Sequence, residues 1–134
     1  MTYQLGQKVS DEGIWKDFSG ARLKIGRAGS VEFLRAVESL EKPYRKKIAR
    51  DSLSVTVKRD LNLRALARAV LLDWDGVLDS EGKTIAYTED LGTSALGNDP
   101  DLLEFVMDIS LDNENFAIER VTDIAKKSSK RSTG

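Results

Sequence analysis

The 134-residue chain contains no cysteine and no histidine. Disulfides, thiolate nucleophiles, imidazole general bases and zinc sites built from Cys or His are therefore excluded. Any catalysis would have to run on carboxylates, lysine, tyrosine or hydroxyls. No apolar run approaches the ~20 residues needed to span a bilayer. The opening MTYQLGQKVSDEG lacks the basic-then-apolar layout of a signal peptide, so a cytoplasmic protein is expected. Apolar residues make up 40 % and charged residues 32 %, the balance of one soluble globular domain.

The net charge of −1 hides an uneven distribution. Residues 1–70 carry 15 Lys/Arg against 8 Asp/Glu, a net +7, whereas 71–134 carry 6 against 14, a net −8. Within 71–125 the count is 2 against 14, or −12. Such asymmetry bears on partners and association rather than on fold.

Along the chain, residues 1–13 read as a polar lead-in. IWKDF (14–18) and ARLKI (21–25), joined by Ser19-Gly20, predict a β-hairpin. Ser30 is placed to cap a helix whose apolar face is Val31, Phe33, Leu34, Val37 and Leu40. Pro43 ends or kinks that helix, and Tyr44 and Ile48 keep helical spacing beyond it. DSLSVTV (51–57) alternates like a strand without an obvious partner, and its state stays open. Over 60–74 a helix is predicted, capped by Asp60, with Leu63, Leu66, Val70 and Trp74 on one face. DGVLDSEGK then forms a turn region, and Thr88 can cap a short helix carrying Leu91.

Asn98-Asp99-Pro100 marks another start, with Asp99 as N-cap and Pro100 at the first helical position. Leu102, Leu103, Val106, Met107 and Ile109 form its inner face. A last helix is predicted from Asn113 through Ala117, Val121 and Ile124. The basic, Ser-rich end is expected to be a disordered tail over 128–134. The fold expected is mainly α: a single helical domain over 1–127 with a short N-terminal β-hairpin.

VLLDWDGVLDS (70–80) imitates the nucleophile motif of haloacid-dehalogenase-type phosphatases, with Asp73 as nucleophile and Asp75 as acid. The apolar residues before Asp73 keep a helical period, however, and Arg64, Ala65, Ala67, Arg68 and Ala69 are poor strand formers. The residues after Asp75 lack the βαβ alternation that such a sheet requires. The family pattern also has one more residue before the following Asp-Ser. Gly76 and Gly82-Lys83-Thr84 miss the spacing of a P-loop, and no frame over the same glycines supplies EF-hand ligands. Asp73, Asp75, Asp79 and Glu81 read as a solvated acidic turn, the alternative being weak Mg²⁺ or Ca²⁺ binding; neither a dedicated metal site nor a cofactor is expected. The loop Gly26–Ser30 reads as a connection rather than an anion cradle.

Lys42, Arg45, Lys46, Lys47 and Arg50 invite a nucleic-acid reading. Only Tyr44 offers a stacking ring nearby, and half the chain is strongly acidic, which weakens that reading. Trp74 closes an apolar helical face as core, or anchors a partner if exposed; the same choice applies to Trp15 and Phe116.

The order of signals nevertheless resembles a known family. Leu23-Lys24-Ile25-Gly26-Arg27, Trp74-Asp75-Gly76, Asp79, Gly82, Tyr87-Thr88-Glu89, Asp99-Pro100 and Asn115-Phe116 follow one another as in the tail assembly chaperones of long-tailed bacteriophages. The resemblance covers about 13–127 and rests on the ordered set. It implies a small, mainly helical, non-enzymatic protein of the host cytoplasm that coats the tape measure protein before the tail tube polymerises. Such proteins are displaced as tail subunits add, with the major tail protein a further partner, and do not remain in the virion. Many are also made in a frameshifted longer form; here an extension would join at the basic tail. The family has no catalytic residues to carry over.

The charge split suggests how copies could associate. Arg45, Lys46, Lys47 and Arg50 of one copy would face Asp101, Glu104 and Asp108 of the next. A head-to-tail contact of this kind gives a ring if the rotation closes and an open spiral if it does not. The alternatives are that the two faces meet inside one monomer or that each is simply solvated. A nucleic-acid-binding accessory protein using residues 42–50 is the second functional reading, and the carboxylate phosphatase the third.

Overall fold

The sheet begins with the hairpin. Strands β1 (Ile14–Phe18) and β2 (Ala21–Ile25) pair antiparallel, with Ile14 opposite Ile25 and Phe18 opposite Ala21. Ser19 and Gly20 turn the chain at φ 50° and 85°. Positive φ at both central residues gives the turn whose twist matches that of the flanking strands. The computed structural model describes residues 8–118.

A third strand, β3 (Leu71–Asp75), adds antiparallel to the other side of β2, giving the order β1-β2-β3. Leu23 faces Trp74 and Lys24 faces Asp73, with a register irregularity between Lys24 and Ile25. This overturns the mainly helical expectation. The protein is mixed α/β, with a three-stranded antiparallel sheet covered by helices.

The difference arises at residues 60–74. Helix α3 runs from Val55 to Ala69, capped by Ser54, whose hydroxyl accepts from the Val57 amide at 3.2 Å. Asp60 therefore lies inside the helix, and part of the undecided 51–57 stretch is helical. Val70 ends α3, and its carbonyl accepts from the Gly26 amide at 2.7 Å. The chain then extends along β2, whose second edge would otherwise leave a row of backbone groups unpaired. Val70, Leu71 and Trp74 are all buried, because the chain crosses the core as it passes from helix to sheet. Helical spacing from Leu63 to Trp74 thus joined two elements that share one core.

Helix α1 (Val31–Glu41) is capped by Ser30 as expected. A 3-10 turn over Lys42–Tyr44 begins where Pro43 interrupts the helix, and α2 (Arg45–Ala49) follows. Thr88 caps α4 (Glu89–Asn98), and Asp99 with Pro100 starts α5 (Pro100–Leu111). The core joins Leu23 and Ile25 of β2 to Leu66 of α3, Leu96 of α4 and Val106 of α5. Helix α1 packs on α3 through Ala36, Ala65 and Ala69, small side chains that let the two backbones approach closely.

Where the last helix was expected to begin, Asn113–Phe116 form a 3-10 turn. Phe116 is core, at 2 % exposure, and Ala117 is extended and bridged to Val9. The Ser10 amide donates to the Phe116 carbonyl at 2.7 Å, so this backbone pairs with the lead-in rather than with a further helical turn. Val121, Ile124 and the 128–134 tail lie outside the described residues.

Tyr87 fastens the helices to the sheet. Its hydroxyl lies against the carbonyls of Ala67 and Leu71, the latter at 2.7 Å. Its ring meets the Trp74 indole edge-on, with centroids 4.9 Å apart. On the surface, Arg68 grips Glu89 through two hydrogen bonds of 2.8 and 3.0 Å, tying α3 to α4. That bond holds the Glu89 carboxyl below its ordinary range.

Candidate interaction surfaces

Pro43 is the origin of the first surface. With no amide proton to continue α1, it turns the chain into an arm made of the 3-10 turn and α2. Neither piece contains a buried residue. Arg45, Lys46, Lys47 and Arg50 are all exposed and, among the described residues, form no ion pair. Ile48, 38 % exposed, projects among them. The arm closes at Asp51, a left-handed residue at φ 52°, where the Ser52 amide donates to the Lys47 carbonyl at 2.8 Å.

The second surface is α5. Leu102 and Val106 turn inward, and Asp101, Glu104 and Asp108 fall at spacings of three and four on the exposed side. No lysine or arginine lies anywhere in 99–114 to offset them. None of the three acids is ion-paired among the described residues. The sequence-predicted residues are thus gathered into two groups, four cations on one short arm and three acids on one helix stripe. No ion pair joins the two groups within the described chain. The arm hangs from α1, which packs on α3, while α5 packs on α4 and β2.

Trp74 is 7 % exposed, and its indole N–H donates to the Ile85 carbonyl at 2.9 Å. It is a core residue, and the exposed-anchor reading is set aside for it. Phe116 is likewise core, whereas Trp15 lies at the surface with the Arg22 guanidinium 5.3 Å over its ring.

Asp73 and Asp75 are exposed on β3, and the Asp73 carboxylate accepts from the Trp74 amide at 2.8 Å. Their segment is a strand after all, but β3 runs antiparallel to β2, and no strands pair parallel among the described residues. Asp79 is engaged in the turn, accepting from the amides of Glu81 and Lys83 at 2.8 and 3.0 Å. Among the described residues no three acidic side chains gather as a metal-binding group. At Gly26–Ser30, Arg27 is bound to Asp11 at 2.8 Å and the Ser30 hydroxyl caps α1.

An apolar groove of about 490 Å³, at the hairpin-turn end of the sheet, escaped the sequence reading. Phe18, Leu23, Trp74, Val77, Ala95 and Leu102 form its walls, and Leu78, 56 % exposed, forms its lip. Asp99 is its one charged lining residue. The adjacent apolar pair Val77-Leu78 inside an otherwise polar turn was the available signal. The rest comes from β1, β2, α4 and α5, which only the fold brings together.

No described helix is long and apolar enough to cross a membrane. No curated protein and no solved structure matches the chain. The sequence model of one phage family, described as YdaY prophage protein, matches residues 28–127, from the loop before α1 onward and without the hairpin. With most of its length so matched, the chain belongs to the YdaY prophage protein family.

Proposed function

We propose that this phage-derived protein is a non-enzymatic tail assembly chaperone that associates with its own copies and coats the tape measure protein before the tail tube polymerises. The observation that carries the self-association is the separation of charge. The arm holds Arg45, Lys46, Lys47 and Arg50, the α5 stripe holds Asp101, Glu104 and Asp108, and neither is neutralised within the described chain. Opposite charges on separate parts of one molecule favour a contact between unlike surfaces of successive copies. The tail assignment draws on the ordered sequence resemblance and is consistent with phage origin. The sheet departs from the mainly helical architecture that the resemblance implied.

The role belongs in the host cytoplasm, with displacement as the major tail protein adds. Co-expression with the tape measure protein of the same prophage tests it. A soluble complex holding several copies of this chain per tape measure is the expected result. Failure to bind the tape measure, with salt-sensitive retention on DNA and no self-association, would replace the proposal by nucleic-acid binding through the 42–50 arm. Mg²⁺-dependent turnover of a phosphate ester, lost on Asp73→Asn, would replace it by the phosphatase.

A further inference from the structure

Among the described residues the arm and the groove are both unpartnered, and their chemistries are complementary. A five-residue helix is far below the ~12–15 residues at which a helix becomes even marginally stable alone in water. Helix α2 also buries no residue against the body of the protein. Tyr44 stands half-buried at the start of the arm, and Ile48 within α2 is exposed. Around them stand five cations, Lys42, Arg45, Lys46, Lys47 and Arg50, with no acid in 42–50.

The groove has the opposite character. Its walls are apolar, no lysine or arginine lines it, and its charged residue is Asp99. Asp75 and Asp101, both exposed, directly precede the lining residues Gly76 and Leu102. Its volume of about 490 Å³ can admit side chains of a docked segment but not a folded domain.

We propose that the groove receives the 42–50 arm of a second copy, with Ile48 as the apolar anchor and the flanking cations over Asp75, Asp99 and Asp101. This rests on the self-association reading above; of the α5 stripe it keeps Asp101 at the contact and adds Asp75 and Asp99 at the groove. The occupant comes from another copy because the groove is built from the hairpin, the β3 end and its turn, α4 and α5, whereas the arm is the continuation of α1. The arm leaves the end of α1 beside a small pocket that Leu40 and Glu41 line together with Lys58 and Leu61 of α3. Helix α4, which supplies Ala95 to the groove, meets α3 elsewhere: Gly97 approaches Leu63 and its carbonyl accepts from Arg59 at 3.0 Å. No residue of 42–50 lines the groove within the chain. Each copy then offers one arm and one groove, so the contact repeats in one direction.

Two exposed substitutions test the pairing with little risk to folding: Ile48→Asp on the arm and Leu78→Lys on the groove lip. Light scattering of the full chain across a concentration series gives the mass. The wild type is expected to grow with concentration and each variant to stay at one chain's mass. An equal mixture of the variants is expected to stop at two chains, because the intact arm of Leu78→Lys enters the intact groove of Ile48→Asp. Leu78→Lys assembling like the wild type while Ile48→Asp does not would overturn the groove and leave self-association standing. A mixture of monomeric variants that stays monomeric would overturn the arm-to-groove pairing. A wild type that stays monomeric at every concentration would overturn both readings.

Discussion

Tyr87 concentrates several roles in one side chain. Its hydroxyl reaches carbonyls on both sides of the helix-to-strand passage, Ala67 and Leu71, and its ring braces Trp74. Burial, and then the nearby charges of Glu89 and Asp73, push the phenol's pKa up. Tyr87→Phe keeps the ring and removes the hydrogen bonds, and should cost about 1–2 kcal/mol, read as a lower urea midpoint with unchanged slope. The native phenol stays protonated where the unfolded one ionises. Its contribution is therefore whole below about pH 10 and is lost as pH rises towards the raised native value. The gap between wild type and Tyr87→Phe should narrow over that alkaline range. A gap independent of pH there would contradict the burial of the phenol.

Gly92 is the second critical position. A Cβ there would fall on the Tyr87 phenol, 2.7 Å from Cζ. In an ordinary helix Gly→Ala stabilises by up to about 1 kcal/mol. At Gly92 the expected sign is reversed, because the phenol would have to leave its two carbonyls. Thermal denaturation of Gly92→Ala decides this, and a raised midpoint would show that the phenol can move at little cost.

At the scale of elements, the Arg68–Glu89 pair links α3 to α4, and Glu89 also lies in the first turn of α4, where a negative charge is favoured. Both side chains are about a third exposed, so screening limits the coupling to roughly 0.5–1 kcal/mol in a double-mutant cycle. The sign with pH follows from the lowered Glu89 pKa. The stabilisation is present above the ordinary carboxylate range and is lost as pH falls through that range to the native value. The stability difference between wild type and Glu89→Gln should therefore close on acidification below about pH 4. Should the difference persist unchanged in acid, the pair would not be what links the two helices.

Elements whose signals are local were legible before the structure. Ser19-Gly20 fixed the hairpin turn, Ser30 and Thr88 announced their helices, and Asp99-Pro100 started α5. Strand β3 was not legible, because its state depends on an open edge of β2 some fifty residues away in the chain. Alanine-rich α3 feeding directly into Leu71–Asp75 supplied no turn residue to separate the two. Phe116 likewise leaves its helical pattern because the lead-in offers it a backbone partner. The charged surfaces could be read residue by residue, since exposure is the ordinary state of Lys, Arg, Asp and Glu. The groove could not, because its walls come from separated segments.

At the scale of the whole molecule, the proposal makes one protein surface the complement of another on the next copy. Charge reversal at one point should then act on assembly without acting on stability. Lys46 is exposed on an arm with no buried residue, so Lys46→Glu should leave the unfolding midpoint unchanged and weaken self-association. A large fall in thermal stability would instead assign the arm a role within the monomer. The measurement that tests the central claim most directly is light scattering coupled to size exclusion, over several protein concentrations at low and high salt. Charge-guided head-to-tail assembly predicts species whose mass grows with concentration and shrinks as salt screens the contact. A particle of one chain's mass at every concentration and salt would contradict it.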